Sequence, residues 1–233
     1  MLANIDNLLL FQIDLELFIG QLIIGKDYMP RDKTLSHIKV KKAIREEFLE
    51  KGFEAASIRS IGARAGMTSA GLYRHYADKE AMFNAMVEPL VAEINEWTRK
   101  HREKKYKLLD RNADENDLFG ESFIDLVREV ILPRREEFKL LMTCSAGTKY
   151  ENFIHEYAEE NQKEFLEAVK YLKDNGYSTV DVDVEELHML LSAYLTACFE
   201  PIIHDYDETK LDKYLKTIQE FFMPGWMRIM GLN

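Results

Sequence analysis

Apolar residues recur at helical spacing along most of this chain. After Thr34, the positions Val40, Ala43, Ile44 and Phe48 mark one face at i, i+3, i+4 and i+8, while Lys41, Lys42 and Arg45 lie off it. Gly52 reads as the stop of that helix, with Phe53 folding back onto its end. Ser57 is placed to cap a second helix carrying Ile58, Ile61 and Ala65, where small Gly62 and Ala63 permit close approach. Gly66 ends it. Thr68 caps a third, very short helix from Ser69 to His75 or Tyr76, with Leu72 and Tyr76 inward, and Asp78 caps a fourth.

The fourth helix is expected to run to Lys107, with a kink near residues 85–89 because Pro89 removes a backbone donor. Polar Asp110–Asp117 reads as a loop. Further helices are expected at Asp117–Leu132, Arg134–Ser145, Glu151–Asn175, Val184–His204 and Glu208–Phe222, with the Pro-Gly-Trp tail packing back as a short cap. The fold class is therefore all-α. Five Pro and 11 Gly in 233 residues agree, being too few for a turn-rich β-sandwich.

The first 28 residues are apolar but carry Asp14 and Glu16 mid-run, and an acid at the centre of a membrane span costs about 2.5–3.5 kcal/mol. No basic region precedes the run, so neither a span nor a secretory leader is expected. Leu8, Phe11, Leu15, Phe18 and Leu22 suit a short amphipathic helix; Ile13, Leu15 and Leu17 would equally suit a strand. Met29 is an alternative start, which would leave this extension without a role. Two cysteines, Cys144 and Cys198, exclude a disulfide-stapled scaffold and fit a reducing cytoplasm.

Two short helices joined through a Gly-containing turn make a helix-turn-helix, whose second helix enters the DNA major groove. The small residues Ser69, Ala70 and Gly71 would let that helix sit deep. Thr68, Ser69, Tyr73 and His75 offer polar groups to phosphates and base edges, with Arg59 and Arg74 adding charge. Lys79, in the first turn of the fourth helix, opposes the helix dipole, which a phosphate partner would explain.

The run Ser57–Tyr76, SIRSIGARAGMTSAGLYRHY, followed by Ala77-Asp78-Lys79-Glu80, resembles the TetR/AcrR family of transcriptional regulators. The resemblance reaches from about Thr34 to about Ile94. It implies a homodimer with a DNA-reading head over 34–94, within which the helix-turn-helix spans 57–76, and a ligand-binding and dimerisation body over 95–233. It also implies a repressor of a palindromic double-stranded operator. Thr68, Ser69 and Tyr73 would contact bases or phosphates, Ser57, Ala70 and Gly71 would lie in that interface, and His75 and Lys79 would hold phosphate. Ser69 stands where the family often has Lys or Arg, and Ala70-Gly71 replaces a frequent Gly-Thr pair.

In the body, Leu187, Leu190, Leu191, Tyr194 and Leu195, then Leu211, Tyr214, Leu215, Ile218 and Phe222, form stripes that suit a four-helix dimer interface or an intrachain core. Trp97, Phe123, Phe138, Met142, Cys144, Phe153, Tyr157, Phe165 and Tyr194 are candidates to line an effector pocket. No Gly-rich phosphate loop or catalytic elbow occurs, His155 and Glu159 read as a solvated pair rather than metal ligands, and neither cofactor nor catalysis is expected. The competing class is a helical carrier or enzyme with a vestigial head. Charge divides along the same line. The total of −10 comes from 31 Lys+Arg and 41 Asp+Glu; residues 31–85 carry +4 and residues 86–233 carry −11. An acidic chain thus has a basic head.

Overall fold

The structure, a computed structural model, describes residues 33–109 and 123–232. Residues 42–233 form one compact unit; the other unit, residues 1–41, is described over 33–41 as the start of the first helix. The expectations for the N-terminal extension, the loop at 110–117 and the helix start at Asp117 lie outside the described residues.

Helix α1 (Lys33–Ala55) breaks helical geometry at Gly52, with φ 72° and ψ 169°. There the chain turns, and the Phe53 ring stacks on Phe48 at 5.9 Å while meeting Phe83 edge-on at 5.5 Å. Phe48 and Phe83 are fully buried and complete the trio at 5.2 Å, so these aromatics form the centre of the head's core. Helices α2 (Ile58–Ala65) and α3 (Ser69–Leu72) follow, and α4 (Lys79–Leu109) runs out of the head through exposed Pro89. Helix α3 ends three or four residues earlier than its pattern predicts. The residues after it continue as hydrogen-bonded turns, with the amides of His75 and Tyr76 both donating to Leu72 O.

The body begins with α5 (Phe123–Leu126), which widens into a π-helical turn over Val127–Ile131 and tightens into a 3-10 turn over Leu132–Arg134 before α6 (Arg135–Thr143). Pro133 lacks an N–H, and the Leu132 amide reaches back five residues to Val127 O instead. Helices α7 (Phe153–Asp174), α8 (Val184–Ile203) and α9 (Glu208–Met230) complete the chain, with α8 packed against α6, α7 and α9. Asp183 and Asp207 cap α8 and α9 through bonds from Glu185 N and Lys210 N. No strand occurs among the described residues, as the patterning predicts.

Two expectations are revised. Helix α9 does not stop at Phe222. It continues through exposed Pro224 to Met230, because Trp226 is buried against Phe165, Tyr194 and Phe222. Burial of that indole overrides a local Pro-Gly stop signal. Most of the α8 and α9 stripe residues, Leu187, Leu191, Tyr194, Leu195, Leu211, Leu215 and Ile218, are buried within the protomer. Leu190 stays at the surface, beside exposed Met189 in sequence, and Phe221 is 77% exposed on α9. Trp226→Ala should cost about 3 kcal/mol or more in chemical denaturation; a loss below 1 kcal/mol would mean that the last turns of α9 are not part of the core.

Candidate nucleic-acid interface

The head is organised around one acidic side chain lying on the apolar stripe of α1. Glu47 follows Ala43 and Ile44 by four and three residues, and its side chain has no exposed surface. Its Oε1 accepts from Lys51 Nζ at 2.9 Å and from the Ser57 amide at 3.2 Å. Its Oε2 accepts from Ser60 Oγ at 2.6 Å and Arg64 Nε at 3.0 Å, and Arg64 also pairs with Glu50. These bonds tie α1 to both ends of α2. Burial alone would raise the Glu47 pKa. The hydrogen bonds from Ser60, Lys51 and the Ser57 amide, with the Lys51 charge, outweigh it and hold the carboxyl at about 2.

The turn is shaped by caps and close approach. Ser57 Oγ accepts from Ser60 N at 3.4 Å, and Gly66 ends α2 in the left-handed region at φ 67°. The Met67 amide donates to Gly62 O at 2.8 Å, and a Cβ on Gly62 would lie 2.8 Å from Met67 O. Only glycine lets the turn close over α2 there. Thr68 Oγ1 then accepts from Gly71 N at 3.1 Å, capping α3, while Asp78 accepts from Ala81 N at 2.7 Å and caps α4.

This frame sorts the residues expected at DNA. Arg59, Ala70, Tyr73, Arg74 and His75 are exposed, Tyr73 by 50%. Among the described residues, the side chains of Arg59, Tyr73, Arg74 and His75 have no hydrogen bond or ion pair. Ser57 and Thr68 are exposed and occupied as caps, and Ser69 is half-buried. Gly71 is buried with Leu72, on the inner side of α3.

Lys79 turns back into the protein. Its Nζ donates to Glu54 O at 3.0 Å and Ala56 O at 3.3 Å and sits 4.5 Å over the Phe53 ring. An internal task thus accounts for a cation in the first turn of α4: it satisfies carbonyls left open at the end of α1. The phosphate explanation offered by the dipole argument is not needed.

The head is also pinned to the body. Arg45 of α1 forks onto two carboxylates of the first turn of α6, Nη1 to Glu136 and Nη2 to Glu137, each at 2.6 Å. At the other end of α6, Cys144 O accepts from the Phe53 amide at 2.9 Å. Helix α6 meets the α8–α9 corner as well, through Arg135 Nη2 to Tyr206 O at 2.9 Å and through the pairing of Lys139 with Asp205.

Within the body, the expected pocket residues mostly pack on one another. Phe123 meets Tyr157 and Tyr194 edge-on, Phe153 stacks on Tyr157, and Phe165 joins the chain through Trp226. Phe138 is fully buried against Phe199, the Trp97 indole donates to Glu129 at 2.9 Å, Met142 is half-buried, and Cys144 ends α6. Of the nine, Tyr157 alone also lines an open cleft between α4 and α7. Burial pushes the Cys198 thiol up to about 12, so it stays protonated. His155 and Glu159 are an exposed pair at 3.3 Å, and no metal-binding group of three occurs among the described residues.

Residues 42–86 match the family described as bacterial regulatory proteins, tetR family. Over that stretch, which holds the helix-turn-helix, the head is similar to the tetR family. The described residues are all-helical, as that family's fold requires. Among solved structures it is similar to a protein of Mesorhizobium loti MAFF303099 described as a TetR-family transcriptional regulator. Identity there is 13%, over 83% of this chain and 98% of that one, with a TM-score of 0.42. It is also similar to NalD of Pseudomonas aeruginosa, the secondary repressor of the MexAB-OprM multidrug efflux pump, at 19% identity over 84% and 98%, with a TM-score of 0.43. No curated protein matches. No described helix is long and apolar enough to cross a membrane.

Glu47 was missed in the sequence. The available signal was an acid at a core register of α1, three residues after Ile44 and one before Phe48. With a folded pKa near 2, below the ordinary 4.5, Glu47 contributes stability that is fully present above about pH 4.5 and lost as the pH falls towards 2. Glu47→Ala should lower stability at pH 7 by about 2 kcal/mol, since it strands Ser60 and the Ser57 amide. It should also flatten the stability curve between pH 5 and 2. Denaturation midpoints across that range check both, and an unchanged acid limb would show that the carboxylate is not bearing that load.

Proposed function

We propose that this protein is a TetR-family DNA-binding regulator, a homodimeric, ligand-responsive repressor acting in the cytoplasm on a palindromic operator. The head, residues 34–94, reads DNA, and the body, residues 95–233, dimerises and receives a small-molecule effector. The observation that carries the reading is the set of polar side chains left unengaged by the head's own packing. The four charged and polar chains Arg59, Tyr73, Arg74 and His75 face solvent without a partner among the described residues, whereas Arg64, Lys51 and Lys79 are held internally. Unpaired cations on the surface of the head suit phosphates, and the exposed faces of Ser57, Thr68, Ser69 and Ala70 permit close contact with the groove. Gly71, being buried, contributes backbone shape to α3 rather than a contacting surface.

Dimerisation through α8 and α9 is supported by the apolar residues those helices leave exposed, Met189, Leu190 and Phe221. Two heads joined this way would address half-sites about 34–36 Å apart. The joint of α6 with both the head and the α8–α9 corner supplies a route by which a change in the body could alter that spacing.

The DNA test is a gel shift against the DNA upstream of the protein's own gene. Tyr73→Ala should weaken specific binding about tenfold or more without lowering Tm, because the ring is half exposed. Equal binding by the variant, or no preference for upstream over random DNA, would favour the carrier reading with a vestigial head. Phe221→Glu should convert the dimer to a monomer in analytical ultracentrifugation. An unchanged dimer would move the interface away from α9.

A further inference from the structure

The ligand-responsive reading above leaves the effector's chemistry open, and the inference here rests on that reading. In the described body, aromatic side chains expected to line a pocket pack ring against ring. One cleft is lined by polar and charged residues. It holds about 500 Å³ between α4 and α7, within the range of small-molecule sites. On its floor, Thr98 Oγ1 and Tyr157 Oη share a hydrogen bond of 3.0 Å, and burial keeps the phenol neutral. Arg102 of α4 pairs with Glu164 of α7 and straps the two walls together.

Most charges at the cleft are thus committed. Arg99 is held by Glu96 and Glu103 on its own helix, and Arg102 by Glu164. Glu160 and Lys163 differ. Both line the cleft, both are exposed, and neither has an ion pair or hydrogen bond among the described residues. They stand at i and i+3 on α7, which puts their Cβ atoms about 5–6 Å apart on one helix face. An unpaired carboxylate and an unpaired ammonium at that spacing, in a lining that also holds two hydroxyls and the Asn95 amide, form a complement to a zwitterion.

We propose that the α4–α7 cleft binds a small zwitterion carrying one ammonium and one carboxylate, of the amino acid or dipeptide class. Glu160 receives the ammonium and Lys163 the carboxylate. Arg102, through Glu164, positions the walls.

The test uses the full-length protein, isothermal titration calorimetry and release of bound upstream DNA. The probes are δ-aminovalerate and glycylglycine, with valerate and pentylamine as analogues lacking one charge and indole as an apolar compound. Binding of δ-aminovalerate or glycylglycine, with neither single-charge analogue binding comparably, supports the assignment. Glu160→Gln and Lys163→Met should each weaken that binding about tenfold or more, while Lys170→Met, exposed on α7 and outside the cleft, should leave it unchanged. Failure of both zwitterions to bind overturns the assignment, as does binding insensitive to both cleft substitutions. Indole releasing DNA while the zwitterions do nothing would overturn the cleft and leave ligand-responsive regulation standing. Zwitterion binding that left DNA affinity unchanged would uphold the cleft and remove its regulatory role.

Discussion

The geometry of the head depends on a buried carboxylate. Glu47 sits where the apolar register of α1 calls for a hydrocarbon, and its desolvation is offset by four donors drawn from α1 and α2. Those donors include the amide and the serine at the start of α2 and the arginine at its end, so one charge sets the crossing of α1 and α2. Once α2 is placed, Gly62 and Gly66 leave the turn a single way to close, and Thr68 starts α3 from that point. The orientation of the presented surface follows from this chain of short-range constraints, not from the hydrophobic core alone. The aromatic trio of Phe48, Phe53 and Phe83 supplies cohesion, but apolar contact is non-directional.

The same economy explains which cations are available. Lys51, Arg64 and Lys79 are consumed in building the head, so fewer of its cations are free to meet a polyphosphate. Arg59 and Arg74 remain unpaired among the described residues. The acidic body works in the opposite direction, discouraging non-specific adhesion to DNA and leaving attraction local to the head. Helix α6 joins the two charge regimes, for its acidic first turn holds Arg45 while Arg135 and Lys139 of the same stretch hold the α8–α9 corner.

Local rules were legible in the sequence wherever a residue acts on its own neighbours. The caps at Ser57, Thr68 and Asp78, the stops at Gly52 and Gly66 and the fold-back of Phe53 are such cases, and with helical periodicity they sufficed for the all-helical fold. Reading failed where a distant element decides. Lys79 looked misplaced in the first turn of α4 because the carbonyls it serves lie some 25 residues away, at the end of α1. Helix α9 ran past Pro224 because Trp226 finds its cavity on α7 and α8. The stripes of α8 and α9 were ambiguous between core and partner, since periodicity shows that a face is buried and not by what. Glu47 was hidden for a related reason, because a charge on an apolar stripe has meaning only once its donors are known.

The central claim is that the head presents Arg59 and Arg74 as free cations for phosphate while Arg64 is spent internally. The most direct measurement is the slope of log binding constant against log salt on upstream DNA, for the wild type and for alanine at each of the three arginines. The account predicts that Arg59→Ala and Arg74→Ala each reduce the slope by about 1, and that Arg64→Ala weakens binding through stability with the slope unchanged. A slope that fell with Arg64→Ala and not with the other two would contradict it.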